Sequence, residues 1–453
     1  MACIGADTAI SPVARIDHGG EAPCSLVLDS QDEGGLMVCA TRDTLSIWGG
    51  IEGAVEGPEL LHKHTLSEGS KAQISHAALR GEIVLAAGKT MSGKRKKACR
   101  GFLTSINPPT FAVVGRFCSS GRACKGQSLA HVELPLCMAE WASIGGVCLI
   151  DSSKGLCILA ANEAGEIVRI LLDPDTIPVL RGNAKGGGGG GGSRASAGQA
   201  ASGAGGSAGP PVIGGSVAPL RCNTLPSAAG YGAMVGLCVP RGRDSLVVGA
   251  YHLGIAVWDH VSGVLLSCTS VDAIVPHASQ KITGLCCANG GGRIVACFDA
   301  SRARGGARVR STVGTQASQQ SDDSSSQRLL SSGQHVQGRT GHALCDSFSI
   351  SEQGVVCLER GFVPFEMCGS EEGEERVYSP VFGKGVCVGC DGRHVVAGCL
   401  GGGAYVWDIA NSRLVAAIRQ PDGRPTAACV AIRGPSPVVV LGWGDGSTDI
   451  WAR

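Results

Sequence analysis

Gly403-Ala-Tyr-Val-Trp407-Asp408 and Ser447-Thr-Asp-Ile-Trp451 are short β-like runs that each close on a tryptophan, and the two indoles lie 44 residues apart. Two earlier runs close the same way: Thr44-Leu-Ser-Ile-Trp48 and Gly254-Ile-Ala-Val-Trp258-Asp259. The 44-residue step is the length of one four-stranded propeller blade. A single blade cannot bury both of its faces, so repetition of this signature predicts a closed ring of blades.

Working outward from the tryptophans, seven strand-rich segments can be drawn. They run Cys24–Trp48, Gln73–Val114, Leu136–Leu180, Met234–Thr269, Ile282–Leu358, Gly385–Ile418 and Thr426–Trp451. In the second, strands are expected at Glu82–Ala87, Phe102–Ile106 and Phe111–Val114. Gly, Asp, Asn and Pro bound the runs and supply the backbone angles of tight turns. No helical periodicity interrupts them, which argues for an all-β chain. The reading is a single domain over 1–453: a seven-bladed β-propeller of four-stranded antiparallel blades. The seventh segment lacks an outermost strand, and Pro12–Ile16 is a spare one. Pairing the two closes the ring with an N-terminal strand and leaves no open edge.

Two stretches fall outside this pattern. Residues 182–219 hold a seven-glycine run, 186–192, and Ser/Ala/Gly repeats. Residues 301–343 are rich in Ser, Gln, Gly and Arg. Neither has an aromatic residue, so neither can bury enough apolar area to offset its ordering entropy, and both read as disordered insertions.

Composition narrows the function class. The 453 residues are 43% hydrophobic and 17% charged, with a formal net charge of +1. That balance argues against nucleic-acid binding and against attachment to a membrane surface. No apolar run reaches the roughly 18–20 residues that cross a bilayer. Met1-Ala-Cys-Ile-Gly-Ala-Asp has no basic segment followed by an apolar one, so no secretory signal is read. An intracellular site, cytoplasmic or nuclear, is expected. In such a reduced compartment the 22 cysteines read as small buried hydrophobes, among them Cys39, Cys137, Cys148, Cys157, Cys238, Cys286, Cys297, Cys357 and Cys429.

Few motifs suggest chemistry. Lys94, Arg95, Lys96 and Lys97 form a compact basic run between two strands. It is either a solvated loop or a nuclear-import or acidic-partner contact. Arg302, Arg304, Arg308 and Arg310 open the second insertion without interleaved aromatics for base stacking. Glu371–Glu375 lacks the spacing of a calcium loop. Cys387-Val-Gly-Cys390 with His394 has no second ligand pair at zinc spacing, so core thiols are expected there. Gly205-Gly-Ser-Ala-Gly209 matches a hydrolase elbow formally but sits in a Gly/Ser coil. Gly88-Lys89-Thr90 lacks the earlier glycine of a phosphate loop. No catalytic residue, metal site or cofactor is expected.

Val257-Trp258-Asp259 and Val406-Trp407-Asp408 resemble the WD40-repeat family, in which a Trp-Asp pair ends the third strand of each blade. Ile47-Trp48-Gly49 and Ile450-Trp451-Ala452 are weaker versions. The resemblance implies that Trp48, Trp258, Asp259, Trp407, Asp408 and Trp451 are structural blade markers. Leu134–Trp141 and Gly442-Trp-Gly-Asp445 are faintly similar to the Gβ-like, ASTRA-associated WD-repeat proteins. That likeness implies a subunit of assemblies that mature phosphatidylinositol-kinase-related kinases and touch chromatin regulation.

The expected function is a non-enzymatic scaffold that binds other proteins through its loops. The rivals are a peptide or modification reader at the central channel, which needs aromatic or acidic residues at one mouth, and an enzyme, which needs His, Asp or Glu clustered at the axis. Strand placement also predicts that four irregular features crowd one face: 94–97, 301–343, 182–219 and 371–375. The first two join second to third strands and the last two join blades, and that shared face would carry regulation or partner exchange.

Overall fold

The computed structural model describes residues 12–28, 35–51, 57–65, 72–90, 110–117, 129–134, 138, 141, 143–152, 155–177, 179–180, 216–228, 230–240, 242–274, 281–288, 292–299, 344–362, 365–368, 377–380, 385–399, 403–419, 427–434 and 437–452. Strand β1 (Ala14–Asp17) stands ahead of the first blade. Blade 1 is β2 (Ser25–Leu28), β3 (Met37–Ala40), β4 (Thr44–Gly49) and β5 (Glu59–Thr65). Blade 2 is β6 (Ala72–Arg80), β7 (Ile83–Thr90), β8 (Thr110–Phe117) and β9 (Ala130–Val132). Blade 3 opens with β10 (Gly146–Ser152), β11 (Gly155–Ala161) and β12 (Ile167–Leu172). Two short strands, β13 (Val179–Leu180) and β14 (Ser216–Val217), come before its fourth strand, β15 (Arg221–Leu225). Blade 4 is β16 (Met234–Cys238), β17 (Leu246–Tyr251), β18 (Gly254–Asp259) and β19 (Val264–Ser270). Blade 5 is β20 (Lys281–Cys287), β21 (Arg293–Asp299), β22 (Cys345–Ile350) and β23 (Val356–Phe362). A hairpin of β24 (Phe365–Cys368) and β25 (Val377–Pro380) leads into blade 6: β26 (Gly385–Cys390), β27 (His394–Cys399), β28 (Gly403–Asp408) and β29 (Leu414–Arg419). Blade 7 is β30 (Ala427–Arg433), β31 (Val438–Trp443), β32 (Ser447–Trp451) and, as its fourth strand, β1. The chain is an all-β propeller of seven antiparallel blades, with helical backbone among the described residues confined to Met138, Pro174–Thr176 and Val271–Ile274.

The pattern of burial follows from stacking blades around an axis. The second strand of a blade is covered on both faces, so β17, β27 and β31 are buried along their whole lengths and read as continuous apolar runs. The fourth strand lies at the rim, and β15 is mostly exposed. First strands converge on the axis, where small residues let neighbouring backbones meet. A Cβ on Gly146 would stand 2.9 Å from Leu237, and one on Gly236 would stand 2.9 Å from the Leu285 Cβ. The buried hydrophobics fall into seven clusters, one for each junction between neighbouring blades, including the junction of blade 7 with blade 1.

Trp48, Trp258, Trp407 and Trp451 all occupy third strands and face the preceding blade. The pairing to the fourth strand shifts register just before Trp48, Trp258 and Trp407. Blade 5 shows the same shift before Phe348, which packs against blade 4 as a smaller substitute for the indole.

Ring closure is antiparallel, with Ala14 opposite Ile450 and Asp17 opposite Ser447. Arg15 Nη2 donates to Ser447 Oγ at 2.8 Å, and the guanidinium pairs with Asp445 at 3.6 Å and Asp449 at 3.7 Å. His18 Nε2 lies 3.0 Å from Thr448 Oγ1. Ile16 is buried with Met37, Val440 and Ile450, which ties the strand into the core between blades 7 and 1.

Three expectations need correction. Blade 1 does not end at Trp48; β5 follows it. The stretch 182–219 does not join blades: it belongs to the connection between β12 and β15, the third and fourth strands of blade 3. Its end is paired, for Ser216–Val217 runs parallel to β9, and Val179–Leu180 just before it runs parallel to the end of β8. The connection therefore lends two short strands to the rim of blade 2, whose own fourth strand has only three residues. Finally, Cys357 is exposed, because it lies on a rim strand and points outward. Cys39, Cys157, Cys238, Cys297 and Cys429 are buried as expected, and Cys148 and Cys286 are half-buried. Cys137, Phe102–Ile106, and residues 181–215 and 301–343 lie outside the described residues.

Candidate interaction face

In an antiparallel four-stranded blade, the connections from second to third strand and from blade to blade emerge at one end. Those from first to second and from third to fourth emerge at the other. The flanks of 91–109 and 300–343 belong to the first end, as do the blade strands β23 and β26 between which the β24–β25 hairpin is inserted, while Leu180 and Ser216, which flank 181–215, belong to the second. The four irregular features do not share one face. Lys94–Lys97 and Glu371–Glu375 themselves lie outside the described residues.

On the first end, blades 3 and 4 build a rigid surface. The turn from β11 to β12 is held by Asn162, whose Oδ1 accepts from the Glu166 amide at 2.9 Å and whose Nδ2 donates to Glu166 Oε2 at 2.8 Å. The same Oε2 accepts from Trp141 Nε1 at 3.1 Å, so the segment entering blade 3 is pinned to this turn. Gly165 has φ +87° and allows the turn to close. Blade 4 then clamps it: the Met234 amide donates to the Glu163 carbonyl at 2.9 Å, and Tyr251 Oη donates to the Gly165 carbonyl at 3.3 Å.

The turn from β17 to β18 is fixed as firmly. The His252 amide donates to the Ala233 carbonyl and the Leu253 amide to the Tyr231 carbonyl, both at 2.9 Å. The Ile282 amide donates to the His252 carbonyl at 2.9 Å, and His252 Nδ1 donates back to the Ile282 carbonyl at 3.1 Å. The Val271 amide donates to the Leu253 carbonyl at 2.9 Å. With its backbone so held, the Leu253 side chain is 48% exposed. Tyr231 beside it is half-buried, its ring centroid 6.5 Å from that of Tyr251. A hydrogen bond to the Cys268 thiol raises the Tyr231 phenol above its ordinary pKa. Glu163, Glu166 and Asp272 are exposed around these two side chains. The result is an apolar and aromatic centre with an acidic border on preset turns. Such a surface spends little conformational entropy when a partner docks.

The residues singled out in the sequence serve the fold. Trp258 and Trp407 are fully buried, and Trp258 Nε1 donates to the Pro226 carbonyl at 2.8 Å. Asp259 Oδ1 accepts from the Val261 and Ser262 amides at 2.8 and 3.1 Å, and Asp408 Oδ1 accepts from the Ala410 amide at 2.8 Å. Both carboxylates thus shape turns at the second end of the ring. Cys387 and Cys390 sit on opposite faces of β26, toward blades 7 and 5, so they cannot share a metal ion. His394 is buried, its Nδ1 3.3 Å from Asp391 Oδ2. Among the described residues no three His, Cys, Asp or Glu side chains are grouped to hold a metal ion, and no helix is long and apolar enough to cross a membrane. The seven first strands carry no aromatic residue. Tyr231 and Leu253 were not legible beforehand, because each lies in a turn and only the ring brings them together.

A seven-bladed ring of this kind is consistent with a WD40-type propeller, a fold commonly used as a protein-interaction scaffold. A scan with protein-family models finds no match for the chain, and a search of the curated proteins finds none.

Proposed function

We propose that this chain is a non-catalytic, intracellular WD40-type scaffold that holds a partner protein against the face built by blades 3 and 4. The observation that carries this reading is the pair Leu253 and Tyr231, held on turns whose backbone groups are bonded across blades and bordered by Glu163, Glu166 and Asp272. The matching partner presents an apolar side chain flanked by basic residues. First strands without an aromatic residue favour this over a reader at the channel, which would use aromatics to recognise its ligand.

The test is affinity purification of the tagged chain from its own cells, with mass spectrometry, beside a Tyr231→Ala/Leu253→Asp variant. Both side chains are exposed enough for the variant to keep the ring, which circular dichroism checks. Loss of a near-stoichiometric partner from the variant is expected. An unchanged partner set overturns the assignment of this face, and a clean monomer from the unaltered chain overturns the scaffold reading itself. The fainter likeness to the Gβ-like, ASTRA-associated subunits is supported only if the recovered partners are kinase-maturation or chromatin factors.

A further inference from the structure

The first strands of blades 4, 5 and 6 carry four cysteines that the scaffold reading does not use. Cys286 and Cys287 are successive residues on β20, so their side chains point to opposite faces of blade 5. Cys287 packs with Cys238 in the cluster between blades 4 and 5. Cys286 packs with Cys390 in the cluster between blades 5 and 6. The Cys238 and Cys287 side chains are within hydrogen-bonding reach of each other, and so are those of Cys286 and Cys390. The backbones are close as well. Two residues before the first pair, a Cβ on Gly236 would stand 2.9 Å from the Leu285 Cβ, and two before Cys286 a Cβ on Gly284 would stand 3.7 Å from the Cys387 Cα. That approach suits a disulfide, which requires Cα atoms about 4.4–6.8 Å apart.

We propose that these residues are an oxidative modification site, at which a peroxide converts Cys238–Cys287 and Cys286–Cys390 into two disulfides that fasten blades 4, 5 and 6 together. In each pair one thiolate attacks the peroxide O–O bond and keeps one oxygen as a sulfenic acid, and water leaves. The second thiolate attacks that sulfur, the S–S bond forms as the S–O bond breaks, and a second water leaves. Two thiol protons and two electrons pass to one hydrogen peroxide per disulfide.

One thiol of the first pair and both of the second are open to a small oxidant, while Cys238 is buried; what sets the four apart is that each faces another thiol across a blade junction. Cys286, Cys287 and Cys390 are only half-buried. Cys297 and Cys345 also oppose each other, across β21 and β22, but both are fully buried. Cys39, Cys24 and Cys429 face a histidine or backbone carbonyls. The neighbouring thiol and burial hold Cys238 and Cys286 well above the ordinary thiol pKa, so the site is quiet at neutral pH and reacts faster as pH rises.

The full, natively folded chain is treated with hydrogen peroxide at pH 7 and 9, blocked with iodoacetamide, digested without reduction and mapped by mass spectrometry. Cross-linked peptides joining 238 to 287 and 286 to 390 are expected, forming faster at pH 9. Cys287→Ser abolishes the first link and leaves the second. Full alkylation without cross-links overturns the proposal. So do links between separate chains, or a predominant Cys297–Cys345 bridge.

Discussion

Trp258 and Trp451 hold equivalent places on the third strands of blades 4 and 7, yet their indole nitrogens fare differently. Trp258 Nε1 donates to the Pro226 carbonyl at 2.8 Å, whereas Trp451 Nε1 is buried without a hydrogen-bond partner. Replacing each by phenylalanine removes the same atoms and leaves similar voids, so the cavity terms largely cancel between the two variants. Trp258→Phe forfeits a hydrogen bond with a net worth of about 1 kcal/mol, water being able to reach the exposed Pro226. Trp451→Phe removes an unmatched buried donor, whose desolvation costs about 1–3 kcal/mol. Trp258→Phe is therefore expected to be less stable than Trp451→Phe by about 2–4 kcal/mol. Urea unfolding followed by circular dichroism in the strand band measures this without relying on the altered fluorophores. Equal loss in both variants, or a greater loss in Trp451→Phe, refutes the reasoning.

Gly236→Val should lower stability by about 1–3 kcal/mol, because the first strands of blades 4 and 5 leave no room for a side chain; thermal melts read it. Ile16→Asp puts a carboxylate into the closing core and should open the ring, seen as faster limited proteolysis at both ends, whereas Arg15→Ala leaves the ring closed but strips the buried Asp449 carboxylate of its ion pair with Arg15 and should cost about 1–3 kcal/mol. Burial lowers His76 from its ordinary 6.5 to about 4, so the unfolded chain binds the extra proton first as pH falls. Stability should be flat from pH 6.5 to about 8, before the buried thiols with raised pKa values begin to favour the unfolded chain, and should decline between 6.5 and 4 by up to about 3 kcal/mol, with that decline reduced in His76→Gln; His18 and His260, also lowered by burial, add in the same direction.

The parts of the fold legible in the sequence are those where packing dictates residue type. Third strands announced themselves through Trp48, Trp258, Trp407 and Trp451, and the second strand of blade 2 through the run Glu82–Ala87. The closing role of the first strand followed from a missing partner in the last blade. Rim strands gave no such signal: Arg-Cys-Asn-Thr-Leu, residues 221–225, is mostly solvent-facing and has no apolar alternation. That is why 182–219 was assigned between blades, and with it the single irregular face. Phe348 concealed a tryptophan position because a smaller ring fills it. The interaction face was silent because Tyr231 and the His252–Leu253 pair come from two separate connections, β15–β16 and β17–β18, that only the ring brings together.

The closing pair also sets a timetable for synthesis. β1 leaves the ribosome ahead of blades 1 to 6, and its partner β32 lies at Ser447–Trp451. At about 5–20 residues per second, the interval between them is roughly 20 to 90 s. Throughout that time six blades can stack while β1 has nothing to pair with and the growing stack ends on an uncovered face. Once β32 emerges, pairing with β1 completes blade 7 and covers both exposed surfaces in one step. Nascent chains halted before residue 447 should therefore engage holdase chaperones, and chains released after it should let them go.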